Sequence, residues 1–117
     1  MTEKNLISIP PLLQGETLRA RRLEIMDDKG NVRIFADVAD GSCRFVLCDE
    51  RSVRRVIIQT GEPGGAEIGI LDENQTPRLG LALTKKGNGL LSFLDSEGTE
   101  RLKIAVDKFG KVFNPKP

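Results

Sequence analysis

Four aspartates, each followed six residues later by an arginine, are the most regular charged feature of this sequence. Aspartate and arginine at a fixed spacing can form an ion pair, hold a cation or an anion, or fix a turn. Neighbouring carboxylates such as Asp27-Asp28 and Asp49-Glu50 are also the residue types that glycosidases use as acid and base. The repeated pairs are Asp27 and Arg33, Asp49 and Arg55, Asp72 and Arg78, and Asp95 and Arg101.

The groups that are missing narrow these alternatives. The chain has no histidine, which excludes triads of the Ser-His-Asp type and argues against most transition-metal sites. One carboxylate per turn is a poor calcium cage, because calcium takes about six to eight oxygen ligands. The carboxylate pairs fall in repeating turn positions, which favours a structural role. We therefore expect no catalytic, metal or cofactor site and no small-molecule substrate, and predict that the protein is not an enzyme.

The elements around these residues repeat as well. The four aspartates recur every 22 or 23 residues, a period typical of repeat architectures. Apolar residues stand two and four places before each aspartate and one and three places after each arginine, and this alternation predicts half-buried strands. The columns that we expect to form an interface hold Leu23, Ile25, Ile34, Phe45, Leu47, Val56, Ile68, Ile70, Leu79, Leu91, Phe93 and Leu102.

Each repeat is therefore predicted to be two short strands joined by the Asp-to-Arg turn. The aspartate can accept hydrogen bonds from N–H groups of its own turn, and the arginine is close enough to pair with it. The third residue after the aspartate is Gly30 or Gly98 in the outer repeats but Ser52 or Gln75 in the inner ones. We expect the inner turns to place their strained residue at Asn74 or a neighbour.

The predicted fold is all-β, an antiparallel meander of four hairpin repeats in a homo-oligomeric, β-prism-like assembly. Eight strands are expected, with a ninth starting near residue 18. The alternative is a single-chain β-solenoid with one coil per repeat. The predicted segments are an irregular arm at 1–17, a β-repeat domain at 18–113 with repeats at about 22–43, 44–66, 67–88 and 89–112, and a tail at 114–117.

An apolar sheet face without helices to cover it needs a partner. We expect self-association, with a trimer favoured and a filament as an open extension, and a non-catalytic role as a fibre or shaft-like scaffold. The alternative is a monomeric β-solenoid that binds a polymer or protein on one flat face.

Charge and aromatic content give no reason to expect nucleic acid. The chain has 18 Lys and Arg against 17 Asp and Glu, and it lacks the Trp and Tyr that stack on bases or sugars. We interpret the basic clusters as a solvated face or a charged edge strand, with Arg19 and Arg21 on one strand face. Binding of an anionic partner by these clusters stays open. They comprise Arg19, Arg21, Arg22, Arg51, Arg54 and Arg55.

Cys43 and Cys48 fall on opposite faces of one predicted strand, about 16 Å apart, which is beyond disulfide reach. We predict two buried free thiols, with an intermolecular bridge as the alternative. No apolar run is long enough to span a membrane. The first 17 residues lack a basic start and contain Pro10-Pro11, so we expect no signal peptide. We expect synthesis in the cytoplasm, with a virion or cell surface as possible final locations.

The phrase TLRARRLEIMDDKGNVR, followed by spaced LD…R units, resembles repeats of uncharacterised bacterial proteins built from D-x-x-G-x-x-R hairpins. It is also similar to the repetitive β-structure of phage tail fibres and other trimeric surface fibres. The resemblance covers roughly residues 18–110, and Ser52 and Gln75 depart from its glycine position. It implies a fibre-like or modular structural role and no established activity.

Overall fold

The structure is a computed structural model that describes residues 16–61 and 65–114. These residues form one antiparallel sheet of nine strands in chain order, and none of them forms a helix long and apolar enough to cross a bilayer. The strands are β1 Arg22–Met26, β2 Val32–Ala39, β3 Ser42–Cys48, β4 Arg54–Thr60, β5 Ala66–Leu71, β6 Pro77–Leu83, β7 Gly89–Leu94, β8 Glu100–Val106 and β9 Val112–Phe113.

The all-β meander predicted from the sequence is confirmed. The solenoid alternative is wrong, because each strand pairs antiparallel with the next one along the chain and the sheet stays open. The expected ninth strand near residue 18 is also wrong: β1 begins at Arg22, and the additional strand is β9 at the other end. The predicted irregular arm falls, for residues 1–15, outside the described residues.

Register places the predicted apolar columns on one face of the sheet. Ile25 lies opposite Ile34, and Ile34 lies opposite Leu47. The same row continues strand by strand to Phe93, which lies opposite Leu102. Because side chains alternate between faces along a strand, the residues between these columns face the other way.

Most turns share one geometry. In the Asp27 turn, the N–H of Asp27 donates to Asn31 O and the N–H of Gly30 donates to Asp27 O. The same pair of bonds recurs at Asp49, Asp72 and Asp95 on one long side of the sheet, and at Thr84 and Asp107 on the other. The fourth residue of the turn takes a positive φ: Gly30 at 87°, Ser52 and Gln75 at 63°, and Gly98 at 84°. Strain in the inner turns is therefore at Ser52 and Gln75 themselves.

The buried apolar residues of the described chain are few. They are Phe35, Val46, Leu71 and Ala105, each at most 9% exposed. In register, Phe35 lies opposite Val46, on the face away from the predicted columns. The intramolecular core therefore lies on the face that the sequence pattern did not single out.

Candidate functional site

One face of the sheet, the apolar face, carries three rows of side chains that run across the strands. Thirteen of its large apolar side chains are between 37% and 67% exposed. Soluble monomers rarely leave a contiguous apolar patch of more than a few hundred Å² in water. These side chains are Leu23, Ile25, Val38, Phe45, Ile58, Ile68, Ile70, Leu81, Leu83, Phe93, Leu102, Val106 and Val112.

The apolar face has a bulky side and a thin side. The row nearest the Asp-to-Arg turns contains only large residues, from Ile25 to Leu102. The row nearest the opposite turns includes Thr60, Ala66 and Gly89. The short side chains leave a groove of about 540 Å³ between larger neighbours such as Phe45 and Leu83. The surface of the apolar face is therefore uneven, raised along the bulky row and recessed along the thin row.

The opposite face, the charged face, covers its own apolar residues. Asp37 accepts two hydrogen bonds of 2.9 Å from Arg44 and another from Arg22. The guanidinium carbons of Arg22, Arg44 and Arg54 lie 4.4, 5.5 and 5.7 Å from the centre of the Phe35 ring. Long arginine stems can shield an aromatic ring from water while their charged ends stay solvated. Phe35 is only 6% exposed as a result.

The repeated arginines are the bulge residues of the sheet. In the first hairpin, Met26 pairs with Val32 and Ile25 pairs with Ile34, so Arg33 has no residue opposite it. A bulge adds one residue to a strand and turns its side chain out of the regular alternation. The same shift occurs once in each of the other three Asp-to-Arg hairpins, leaving Arg55, Arg78 and Arg101 as the extra residues.

Each aspartate of the repeat closes its own turn. Oδ1 of Asp27 accepts hydrogen bonds from the N–H groups of Lys29 and Asn31 at 3.0 and 2.9 Å. These backbone bonds hold the pKa of the carboxyl group below its usual value, and the nearby Arg33 adds a smaller effect. The other three aspartates bind their turns in the same way, with their pKa values lowered for the same reason.

The arginines connect one repeat to the next. Oδ2 of each aspartate lies 3.6 to 3.8 Å from Nη1 of the arginine six residues on. Nε of the same arginine donates to a backbone oxygen one repeat further along: Arg33 to Cys48, Arg55 to Leu71, and Arg78 to Leu94, at 3.1, 2.8 and 2.8 Å. We call the four arginines the arginine ladder. The sequence predicted the ion pairs but not these carbonyl bonds, since the bulge that aims the side chain leaves no separate pattern.

The first and last rungs of the ladder differ from the inner ones. Among residues 16–61 and 65–114, Arg101 donates to no carbonyl, and its side chain is 69% exposed against 39% to 42% for the other three. The residue equivalent to Cys48, Leu71 and Leu94 in the first repeat is Met26. Its carbonyl has no arginine donor within the described part of the chain.

The basic clusters predicted from the sequence are mostly engaged within the sheet. Arg22 contacts Glu24 and Asp37. Arg51 lies 3.6 Å from Glu73, with both side chains largely in water. The prediction that Arg19 and Arg21 share a strand face is wrong, because the first strand begins only at Arg22.

The cysteines are free, as predicted, but the prediction that they are buried is wrong. Cys43 is exposed and Cys48 is half-buried. Cys43 belongs to the thin row of the apolar face, which nothing in the described chain covers. Cys48 lies at a bulge, opposite Arg54.

Within the described residues, no group of three or more Asp, Glu, Cys or His side chains is placed to hold a metal ion. The carboxylate pairs do not act together: Oδ1 of Asp49 binds its own turn, and Glu50 is exposed. No protein-family model matches the chain, and no curated protein matches it at a significant level. The resemblance to hairpin-repeat and fibre proteins stays a prediction.

Proposed function

We propose that the protein is a non-catalytic structural scaffold, a fibre or shaft module, whose partner is further copies of itself packed on the apolar face. The observation that carries the proposal is the exposure of thirteen large apolar side chains on one side of the sheet. Few apolar residues of the described chain are buried, so this face is the main reserve of hydrophobic stabilisation among residues 16–61 and 65–114.

The size of the face suits such a contact. Three rows across nine strands span about 20 Å by 43 Å, on the order of 800 Å², from the spacings of residues and strands in a sheet. A stable protein interface buries about 800 Å² on each partner. The area of the apolar face is therefore that of a standard interface.

The energy is also of the right order. Fully burying a large apolar side chain stabilises by about 1.5–3 kcal/mol. Thirteen side chains that are about half exposed therefore hold on the order of 10–20 kcal/mol in reserve. Association costs about 4–15 kcal/mol in lost freedom of motion, so covering the face offsets that cost.

We propose three copies around a threefold axis that runs across the strands. Strands of six to eight residues, such as β5 and β2, are about 20–27 Å long. A triangular prism with sides of about 23 Å has its centre about 7 Å from each sheet, within reach of Leu and Phe side chains. A threefold contact also joins unlike edges, so the bulky row of one sheet meets the thin row and groove of the next.

Light scattering coupled to size-exclusion chromatography tests this proposal on the full chain. We expect three times the chain mass, or a multiple of three, at micromolar concentration. A monomer would overturn self-association. A stable dimer would overturn the threefold arrangement and leave the apolar face as the contact. A monomer that captures a defined polymer through the apolar face would support the alternative of a binding module.

A further inference from the structure

The two outer strands of the sheet leave hydrogen-bonding edges open. The strand β9 pairs only with Ala105 and Val106 of β8. The rest of β8, from Glu100 to Ile104, has no partner on that side among residues 16–61 and 65–114, and neither does the outer edge of β1. Unpaired strand edges are templates for pairing with another chain.

The register shows which groups of β8 point into the open space. The N–H of Asp107 donates to Lys111 O, and hydrogen-bonded pairs alternate along an antiparallel ladder. The backbone groups of Ala105 and Lys103 therefore point away from β7, whereas Arg101 is the bulge residue and lies outside the alternation. Ala105 already lies opposite Phe113, so Lys103 is the open position of the regular ladder.

The outer edge of β1 presents the matching groups. The N–H of Asp27 donates to Asn31 O, so alternation points Ile25 and Leu23 toward β2 and Glu24 and Met26 outward. The carbonyl oxygen of Met26 corresponds to the oxygens that accept hydrogen bonds from the arginine ladder in the other repeats, but no arginine of the described chain donates to it. Among the described residues, Arg101 is the one ladder arginine that donates to no carbonyl.

We infer that the β1 edge of one copy pairs with the free edge of β8 in the next copy, so that copies join end to end. The register follows the pairing of β6 with β7, where Leu79, Gly80 and Leu81 lie opposite Phe93, Ser92 and Leu91. Its equivalents across the joint are Leu102 with Ile25, Lys103 with Glu24, and Ile104 with Leu23.

The three cross-strand pairs of this register are compatible, and the pairing ends at Leu23 because Phe113 already lies opposite Ala105, where Arg22 would otherwise fall. The two aliphatic pairs extend the apolar face without a break. Lys103 faces Glu24, and opposite charges directly across a strand pair are favourable, whereas like charges are not. Arg101 donates to the Met26 carbonyl as Arg78 donates to Leu94. The strand β9 and the incoming β1 then share the edge of β8, each covering part of it.

The contact joins unlike edges, so each added copy leaves one edge free for a further copy. Contacts of this kind give an open filament when the rotation from copy to copy does not close into a ring. Eight strand positions separate equivalent points, because β9 and the next β1 occupy the same position. The axial repeat is about 38 Å at about 4.8 Å per strand. The inference extends the proposed fibre role, but it rests on strand edges and not on the apolar face.

Cross-linking tests the register directly. In a background with Cys43→Ser and Cys48→Ser, we expect Glu24→Cys together with Lys103→Cys to give a ladder of disulfide-linked multimers under mild oxidation. Residues of a hydrogen-bonded pair lie about 5.5 Å apart between Cα atoms, within disulfide reach. Glu24→Cys with Glu67→Cys is the control, since Glu67 is on an inner strand. Only monomers from the first pair, or equal ladders from both, would overturn the inference.

Charge reversal provides a second readout on chains checked for folding by circular dichroism. Lys103→Glu and Glu24→Lys should each shorten filaments seen by electron microscopy, and the two together should restore them. A trimer mass without a cross-linked ladder would refute the end-to-end contact alone. Disulfide-linked multimers from a protein whose native mass is not a multiple of three chain masses would refute the threefold packing alone.

Discussion

The apolar face and the charged face of the sheet come from alternate residues of the same strands, yet within residues 16–61 and 65–114 only the charged face has its apolar residues covered. There, arginine side chains lie across Phe35 and bind Asp37, so the aromatic ring is shielded without a second layer. The apolar face has mainly Val, Leu, Ile and Phe side chains, which lack the long polar-tipped stems that could fold over their neighbours. Long amphipathic side chains can therefore replace a packing partner, and their absence marks the face that needs one.

Reversing the polarity of one face should have the largest effect. We expect Ile58→Lys to abolish assembly, because Ile58 is 41% exposed on the apolar face and its burial would leave a charge unpaired. The matched control is Gln59→Lys, one residue along the same strand on the charged face, where a lysine can pair with Glu67 in place of the present hydrogen bond. Light scattering of both variants measures the difference, and equal masses would contradict the assignment of the faces.

Truncating one phenylalanine on each face should separate folding from assembly. Phe35→Ala should lower the free energy of unfolding by about 3 kcal/mol, since the ring is buried within the chain. Phe45→Ala, on the apolar face at 41% exposure, should instead raise the concentration at which the assembly dissociates. Urea unfolding at a fixed chain concentration and dilution series of both variants test this. The prediction fails if both variants change the same quantity.

Acid should weaken the charged face selectively. The Arg44 hydrogen bond, together with Arg22, holds the pKa of Asp37 below its usual value of 3.8. The unfolded state then binds more protons than the folded state, so stability is present above about pH 4 and lost as pH falls through the lowered pKa. The aspartates of the turns act in the same direction.

Urea unfolding between about pH 5 and pH 2 measures this loss. The slope of the unfolding free energy against pH should become shallower in Asp37→Asn. It should not change in Asp28→Asn, which alters an exposed carboxylate. An unchanged slope in Asp37→Asn would show that the network does not stabilise the fold.

The smallest effect on stability should come from the edge of the sheet where the Asp-to-Arg turns lie, which belongs to neither face. Arg55→Ala removes an ion pair with Asp49 and the hydrogen bond to Leu71 O, and we expect a loss of about 1 kcal/mol. Among the contacts within the described part of the chain, Arg101→Ala removes only an exposed ion pair, and the thermal unfolding of this variant should change less. A larger loss for Arg101→Ala would reverse the order that the ladder predicts.

The meander and its turns were predictable because they depend on local patterns. Period-two alternation defined the columns from Leu23 to Leu102, and the recurring aspartates defined the turns. The bulges were not predictable in this way, although each inserts its arginine into the alternation, because the same spacing also fits a longer loop. The carbonyl bonds of the ladder depend on that bulge and were missed with it.

The burial of the cysteines was predicted wrongly, and the core on the charged face was not predicted, for a different reason. An apolar residue in a strand pattern was taken to be buried, but Cys43 lies on a face that the described residues leave uncovered. Phe35 and Val46 lie between apolar residues in the sequence, so the local pattern does not mark them as the core, and the ring of Phe35 is covered by arginines from three other strands. Such cover is a property of register and not of any local window.

The bulges at the arginines all lie along one margin of the sheet. Bulges increase the right-handed twist of the strands that contain them. A sheet that carries a bulge in every second strand, always on the same side, is therefore twisted in one sense along its whole length. In any assembly that lengthens across the strands, the aspartate turns would not line up in a straight row. They would follow a helical track around the outside, so neighbouring copies would present the same loops in successive directions.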